Sequence, residues 1–160
     1  MTFISKKLTY STISILSLFA LLYALYLQHV EGHQPCILCV QIRLAFLLTF
    51  ISSLIALAKH KGLVTSSNIL LWMSILSGGA SSYELYQLQN TPNPFATCSF
   101  TPSFWLPLDQ WLPFVFKVQA NCTDEITTIF NISMAAWSVI AFTIFAILML
   151  VLYWELLKRK

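Results

Sequence analysis

The sequence predicts an all-α membrane protein: an antiparallel four-helix transmembrane bundle with one short and one long outer loop. Three observations predict it. Hydrophobic residues make up 58% of the 160 residues and charged residues only 9%, with a mean hydropathy of +0.74. A soluble domain carries about 25% charged residues, so this chain lacks the charge to cover its own surface in water. Four apolar runs each approach the roughly 20 residues that a crossing helix needs. Finally, Lys and Arg fall almost wholly on one side of a four-crossing path.

The four runs cover about 8–27, 39–58, 69–88 and 134–154, within a single domain over 1–160. The first begins near Leu8 and is long enough to span. No small-residue cleavage site follows it, so it reads as the first helix of the mature protein and not as a signal peptide. The fourth, from Met134 to Trp154, carries no charge until Glu155.

Three connections join them. The first, 28–38, is short and holds Pro35 and two cysteines. The second, 59–68, is polar and basic. The third, 89–131, is long and holds the other two cysteines. An ordered loop of that length is usually functional.

Orientation follows from the basic residues. Lys6, Lys7, Lys59, Lys61, Lys158, Arg159 and Lys160 all fall on one side; Arg43 and Lys117 are the exceptions. The positive-inside rule puts both termini in the cytoplasm and the cysteine-bearing loops outside. The net charge of +3 is small. Read through this distribution, it is a topology signal and implies no nucleic-acid partner.

Helix three carries small residues at Ser74, Gly78 and Ser82, with Ser77 and Ser81 alongside. That spacing lets helices approach closely in lipid, and packing is the expected role in preference to a ligand cleft. In the long loop, Phe104, Trp105, Leu106, Leu108, Trp111, Leu112, Phe114, Val115 and Phe116 cluster around Pro107 and Pro113. Proline breaks this stretch too often for it to span. Its aromatic content predicts a segment lying at the outer membrane surface, with Lys117 snorkelling from it.

All four cysteines lie outside in this topology, where disulfides are permitted. Four cysteines allow three pairings. The sequence favours Cys36 with Cys39, and Cys98 with Cys122. Cys36-Ile37-Leu38-Cys39 is a C-x-x-C at the outer start of helix two. The helix N-terminus carries partial positive charge, and Arg43 lies one turn after Cys39 on the same face. Both effects favour thiolate, the species that exchanges disulfides.

A lone C-x-x-C has plainer readings. It can be a structural disulfide, or half of a zinc site completed by His29, His33 or the distant cysteines; the close-spaced second ligand pair usual for zinc is missing. His29 and His33 are expected in the headgroup region with no special role. Arg43 alone would read as a residue snorkelling to the headgroups. Beside the C-x-x-C, an intramembrane cation is a functional candidate. The Cys98–Cys122 disulfide would staple its loop by roughly 3 kcal/mol. It would alternatively be exchangeable, with Pro92 and Pro94 keeping the Cys98 segment extended and open to strand addition by a thiol oxidoreductase.

The chain resembles the bacterial disulfide bond formation protein B (DsbB) family. The matching segments are Gln28-His29-Val30, Pro35-Cys36 through Cys39 to Arg43, Tyr83-Glu84, Pro94-Phe95-Ala96-Thr97-Cys98 with Phe100, Trp105-Leu106-Pro107-Leu108-Asp109 with Trp111 and Pro113, and Cys122. The resemblance implies a thiol:quinone oxidoreductase of the bacterial inner membrane. Its soluble partner would be a periplasmic DsbA-type thioredoxin-fold protein, whose thiolate attacks Cys98 of the Cys98–Cys122 pair. Electrons would pass to Cys36–Cys39 through a Cys36–Cys122 bridge. Cys39 would face a ubiquinone or menaquinone and Arg43 would polarise its oxygen. One departure is Leu85, where some members carry a histidine after Tyr-Glu, so no quinone contact of that histidine carries over. Two rivals remain open: the same chemistry run reductively, as in the vitamin K epoxide reductase type, and a non-enzymatic bundle whose disulfides only staple its loops.

Overall fold

The computed structural model describes residues 2–58, 61–90, 112–118, 120, 128–129 and 132–158. The elements are α1 (Thr2–His29), α2 (Ile37–Ala56), α3 (Lys61–Asn90), α4 (Pro113–Phe116), β1 (Thr128–Ile129), β2 (Ile132–Ser133) and α5 (Met134–Leu157). Four of the helices are long and apolar enough to cross a membrane, over Lys6–His29, Ile37–Ala56, Gly62–Asn90 and Met134–Glu155. The protein is therefore a multi-pass membrane protein.

The helices run beyond the apolar runs. α3 starts at Lys61 and continues to Asn90, because hydropathy marks only what lies in hydrocarbon while the backbone ladder continues into polar sequence. α2 starts at Ile37, with Cys36 as its N-cap. α5 is capped by Ser133, whose Oγ accepts from the Ala136 amide at 3.3 Å, one of the orphan donors of a helix start. β1 and β2 form a two-stranded antiparallel pair with Thr128 opposite Ser133, in sequence read as loop, immediately before that cap.

Around the bundle, α1 packs on α2, α2 on α3, α3 on α5, and α5 closes on α1. The α1–α5 seam is the sparsest of the four, and the α2–α3 interface the most extensive. α2 is the innermost helix: 56% of its spanning window is buried, against 28% for each of the others.

The interior combines apolar side chains with small hydroxyls. Phe46 of α2 stacks on Phe142 of α5, ring centroids 4.5 Å apart, and meets Phe145 edge-on. Gly78 shows why the small-residue pattern on α3 exists. A Cβ there would lie 2.3 Å from the Phe142 ring and 2.7 Å from Ala45 Cβ, so only glycine lets α3 approach both α2 and α5. The buried Ser74 and Ser82 donate to the carbonyls of Leu70 and Gly78 at 2.8 and 2.7 Å. Ser17 and Ser52 do the same within α1 and α2. Hydroxyls spent this way cost little in an apolar interior. Facing outward are large apolar residues such as Phe19, Leu22, Ile69, Met73, Ile147 and Leu150, as a lipid-solvated surface requires.

α4 lies at the cysteine end of the bundle. Phe114 is exposed and Phe116 is fully buried, so this turn meets the bundle on one side, and Lys117 beyond it is exposed. The remainder of the expected surface segment, 104–111, lies outside the described residues.

Candidate active site at the head of helix two

The site begins with a cap. Cys36 has extended backbone angles (φ −81°, ψ 173°), and its Sγ accepts from the Cys39 amide at 3.2 Å. The C-x-x-C spacing places Cys39 three residues into the helix, where its N–H is an orphan donor that the first sulfur satisfies. Both side chains are free thiols; Cys36 is buried and Cys39 partly so. The Cys36 thiol is pushed well above its ordinary value, first by its hydrogen bond with the Cys39 side chain and then by burial.

Arg43 lies one turn after Cys39 and is buried at 6% exposure. Its guanidinium is held from three directions. Nη1 donates to Gln28 Oε1 and to the Val115 carbonyl at 3.2 Å, and Nη2 to the Ala24 carbonyl at 3.1 Å. All three acceptors are neutral. A buried cation ringed by carbonyls is how an intramembrane charge is made tolerable, and it leaves the positive charge uncompensated by any carboxylate among the described residues.

The sequence marked Arg43 but not its partners. Gln28 and Ala24 belong to the last turns of α1, and Val115 comes from α4, far along the chain. A second missed contact is His29. Its ring stacks on Phe114 with centroids 3.8 Å apart, and its Nε2 lies 3.1 Å from the Phe114 carbonyl. Three consecutive residues of α4 are thus tied down: Phe114 by α1, Val115 by α2, and Phe116 by burial. The aromatic content of this segment was the only signal of such docking.

Cys39 and Arg43 both line a cavity of about 600 Å³. Its inner wall includes Phe46, Leu85 and Phe145, and its rim includes Leu16 and Phe19 of α1 with Ile140 and Ile144 of α5, all four exposed. The cavity therefore opens at the α1–α5 seam, on the apolar outer face. Leu85 is buried at 3% in this wall, a purely apolar contact. Gln89, one turn on, also lines the cavity, and its Oε1 is buried with no partner among the described residues. Among those residues no group of three or more His, Cys, Asp or Glu is placed to hold a metal. Cys98 and Cys122 lie outside the described residues, so the structure brings together Cys36, Cys39 and Arg43 of the five sequence-predicted site residues.

A four-helix membrane bundle with a thiol pair capping one helix, beside a buried cation and a lipid-facing cavity, defines a membrane-embedded redox protein of the thiol–disulfide class. The chain belongs to the disulfide bond formation protein DsbB family, whose model matches residues 6–152. It is 39% identical over 142 residues to the disulfide bond formation protein B of Shewanella denitrificans, covering 86% of this chain and 81% of that one. Against the protein of the same name from Pseudoalteromonas atlantica it is 34% identical, covering 91% and 90%. Against that of Haemophilus influenzae it is 31% identical, covering 99% and 92%. It is thus a disulfide-forming oxidoreductase.

Proposed function

We propose that the protein re-oxidises a periplasmic DsbA-type thioredoxin-fold oxidase, passing electrons through two cysteine pairs to a membrane quinone. The observation that carries this reading is that Cys39 and Arg43, one turn apart, line one apolar cavity whose rim lies on the lipid-facing sides of α1 and α5. A quinone is a flat apolar ring with acceptor oxygens and a lipid-soluble tail. The cavity suits it: its volume is that of a small-molecule site, its walls are apolar, and Arg43 offers donors. Arg43 would hold a ring oxygen, with Phe46, Leu85 and Phe145 against the ring. A quinone bound there, ubiquinone or menaquinone, supplies a two-electron acceptor.

The chain's own residues do the remainder. Cys98 and Cys122 form the exchangeable disulfide of the long loop. The partner's thiolate attacks Cys98, giving a mixed disulfide. The partner's second thiolate resolves it, so the partner leaves oxidised and Cys98 and Cys122 are left reduced. Exchange through a Cys36–Cys122 bridge moves the two electrons to the Cys36–Cys39 pair. Cys39 is the sulfur on the cavity wall, one helical turn from the fixed charge of Arg43. The basic ends at Lys6, Lys7 and Lys158 support cytoplasmic termini in the bacterial inner membrane, with the cysteine loops periplasmic.

The test is quinone absorbance in detergent, with a soluble quinone and a reduced DsbA-type protein. Wild type should consume quinone, while Cys39→Ser and Cys98→Ser should not. Failure of wild type with its disulfides intact would favour disulfides that only staple the loops.

A further inference from the structure

Forming a disulfide removes two protons from a thiol pair as well as two electrons, and the cavity beside Cys39 is walled mostly by hydrocarbon. A proton leaving that sulfur needs a carrier. We infer that His33, paired with Glu31, takes the proton of the Cys39 thiol and passes it to water at the cavity mouth. This rests on reading Cys36–Cys39 as the redox pair.

The turn after α1 is built to place this pair. Gly32 has φ +78°, a left-handed conformation that favours glycine, and a Cβ there would meet nothing within 4 Å. The His33 amide donates to the Leu27 carbonyl at 3.1 Å, which folds the chain back over the end of α1. His33 Nε2 then lies 3.4 Å from Glu31 Oε2, with the two side chains 38% and 45% exposed. His33 also lines the cavity that holds Cys39. It is therefore open to water and to the cavity at once.

The other titratable groups around the cavity do not suit the task. From α1 comes Tyr23, and from α2 come Cys39 and Arg43; α3 and α5 contribute no titratable side chain to the lining. Arginine stays protonated and cannot accept. A neutral imidazole carries one acceptor and one donor nitrogen, so it can take a proton on one side and release one on the other. In the step, the S–H bond of Cys39 breaks and its electron pair stays on sulfur. An N–H bond forms on His33, the Glu31 carboxylate balances the imidazolium, and a water or buffer base takes the proton.

The experiment uses the full-length chain with Cys39 as its one cysteine (C36S, C98S, C122S), purified in detergent and free of quinone. The rate of Cys39 alkylation by iodoacetamide is followed from about pH 5.5 to 8.5, spanning histidine titration. With His33→Gln, the rate near neutral pH should fall about tenfold and rejoin the parent's at high pH. Glu31→Gln should cause a smaller fall in the same direction. Both changes lie in an exposed turn whose fold is set by Gly32 and backbone bonds. If the His33→Gln profile overlays the parent's, or falls uniformly at every pH, the inference is overturned. The quinone reading is untouched by that outcome, because no quinone is present.

Discussion

Arg43 donates through Nη1 to the Val115 carbonyl 3.2 Å away, joining the buried cation of α2 to the short helix α4. The same guanidinium reaches Gln28 and Ala24 of α1. One side chain therefore links the cavity wall, the end of α1 and the segment leading to Cys122.

Arg43→Lys should separate charge from geometry. A lysine keeps the cation but cannot span three acceptors with a planar fork. Lost hydrogen bonds to a charged group are worth about 1.5–3 kcal/mol each, so kcat/KM for quinone should fall at least about tenfold. Limited proteolysis should also cut sooner around α4. Steady-state kinetics and a digestion time course check the two effects. Unchanged kinetics would remove Arg43 from the site.

Ile144 stands on the rim of the cavity, on the exposed side of α5. Ile144→Trp should narrow the seam with α1 and raise KM for a long-tailed quinone several-fold, with kcat less affected. A substitution confined to the rim impedes entry more than chemistry. Ile147→Trp, on the same helix but not in the cavity lining, should leave KM unchanged.

Gly78 and Gly79 make a matched pair. A methyl at Gly78 would sit 2.3 Å from the Phe142 ring, whereas one at Gly79 would meet only Phe142 Cβ at 3.7 Å. Gly78→Ala should cost about 1–3 kcal/mol by overpacking, and Gly79→Ala should be neutral or slightly stabilising. Unfolding in mixed micelles would measure both.

The raised Cys36 thiol gives a pH dependence with a definite sign. Its proton is held more tightly in the folded, reduced protein than in the unfolded chain, whose thiol titrates at its ordinary value of 9.0. The stabilisation from this group is fully present below that value and is lost as pH rises beyond it. Reduced protein should therefore lose thermal stability above about pH 9, and protein with Cys36 in a disulfide should lack that contribution. Melting curves of both forms across that range are the check.

Much of this was legible in the residues. The four runs and the basic ends specify the bundle, because lipid permits only closed backbone ladders. Gly78 and its flanking serines announced close helix packing, and Gly78 is where α2, α3 and α5 meet. Cys36, Cys39 and Arg43 were marked by spacing along one helix. The partners that hold Arg43 were not legible. Periodicity says which face of α2 looks inward but not that α4 returns to cover its head, nor that α1 and α5 leave a gap. His29 and His33 were expected to be idle. In the structure His29 stacks on Phe114 and His33 lines the cavity with Cys39, contacts that the sequence did not mark.

The most direct test of the central claim needs no partner protein. Reduced protein carrying Cys98→Ser and Cys122→Ser is mixed with a short-chain quinone, and quinone loss is counted against Cys36–Cys39 disulfide found by mass spectrometry. The account predicts one such disulfide per quinone reduced, and neither product in Cys39→Ser. Thiols that stay reduced in excess quinone, or that oxidise without loss of quinone, would contradict it.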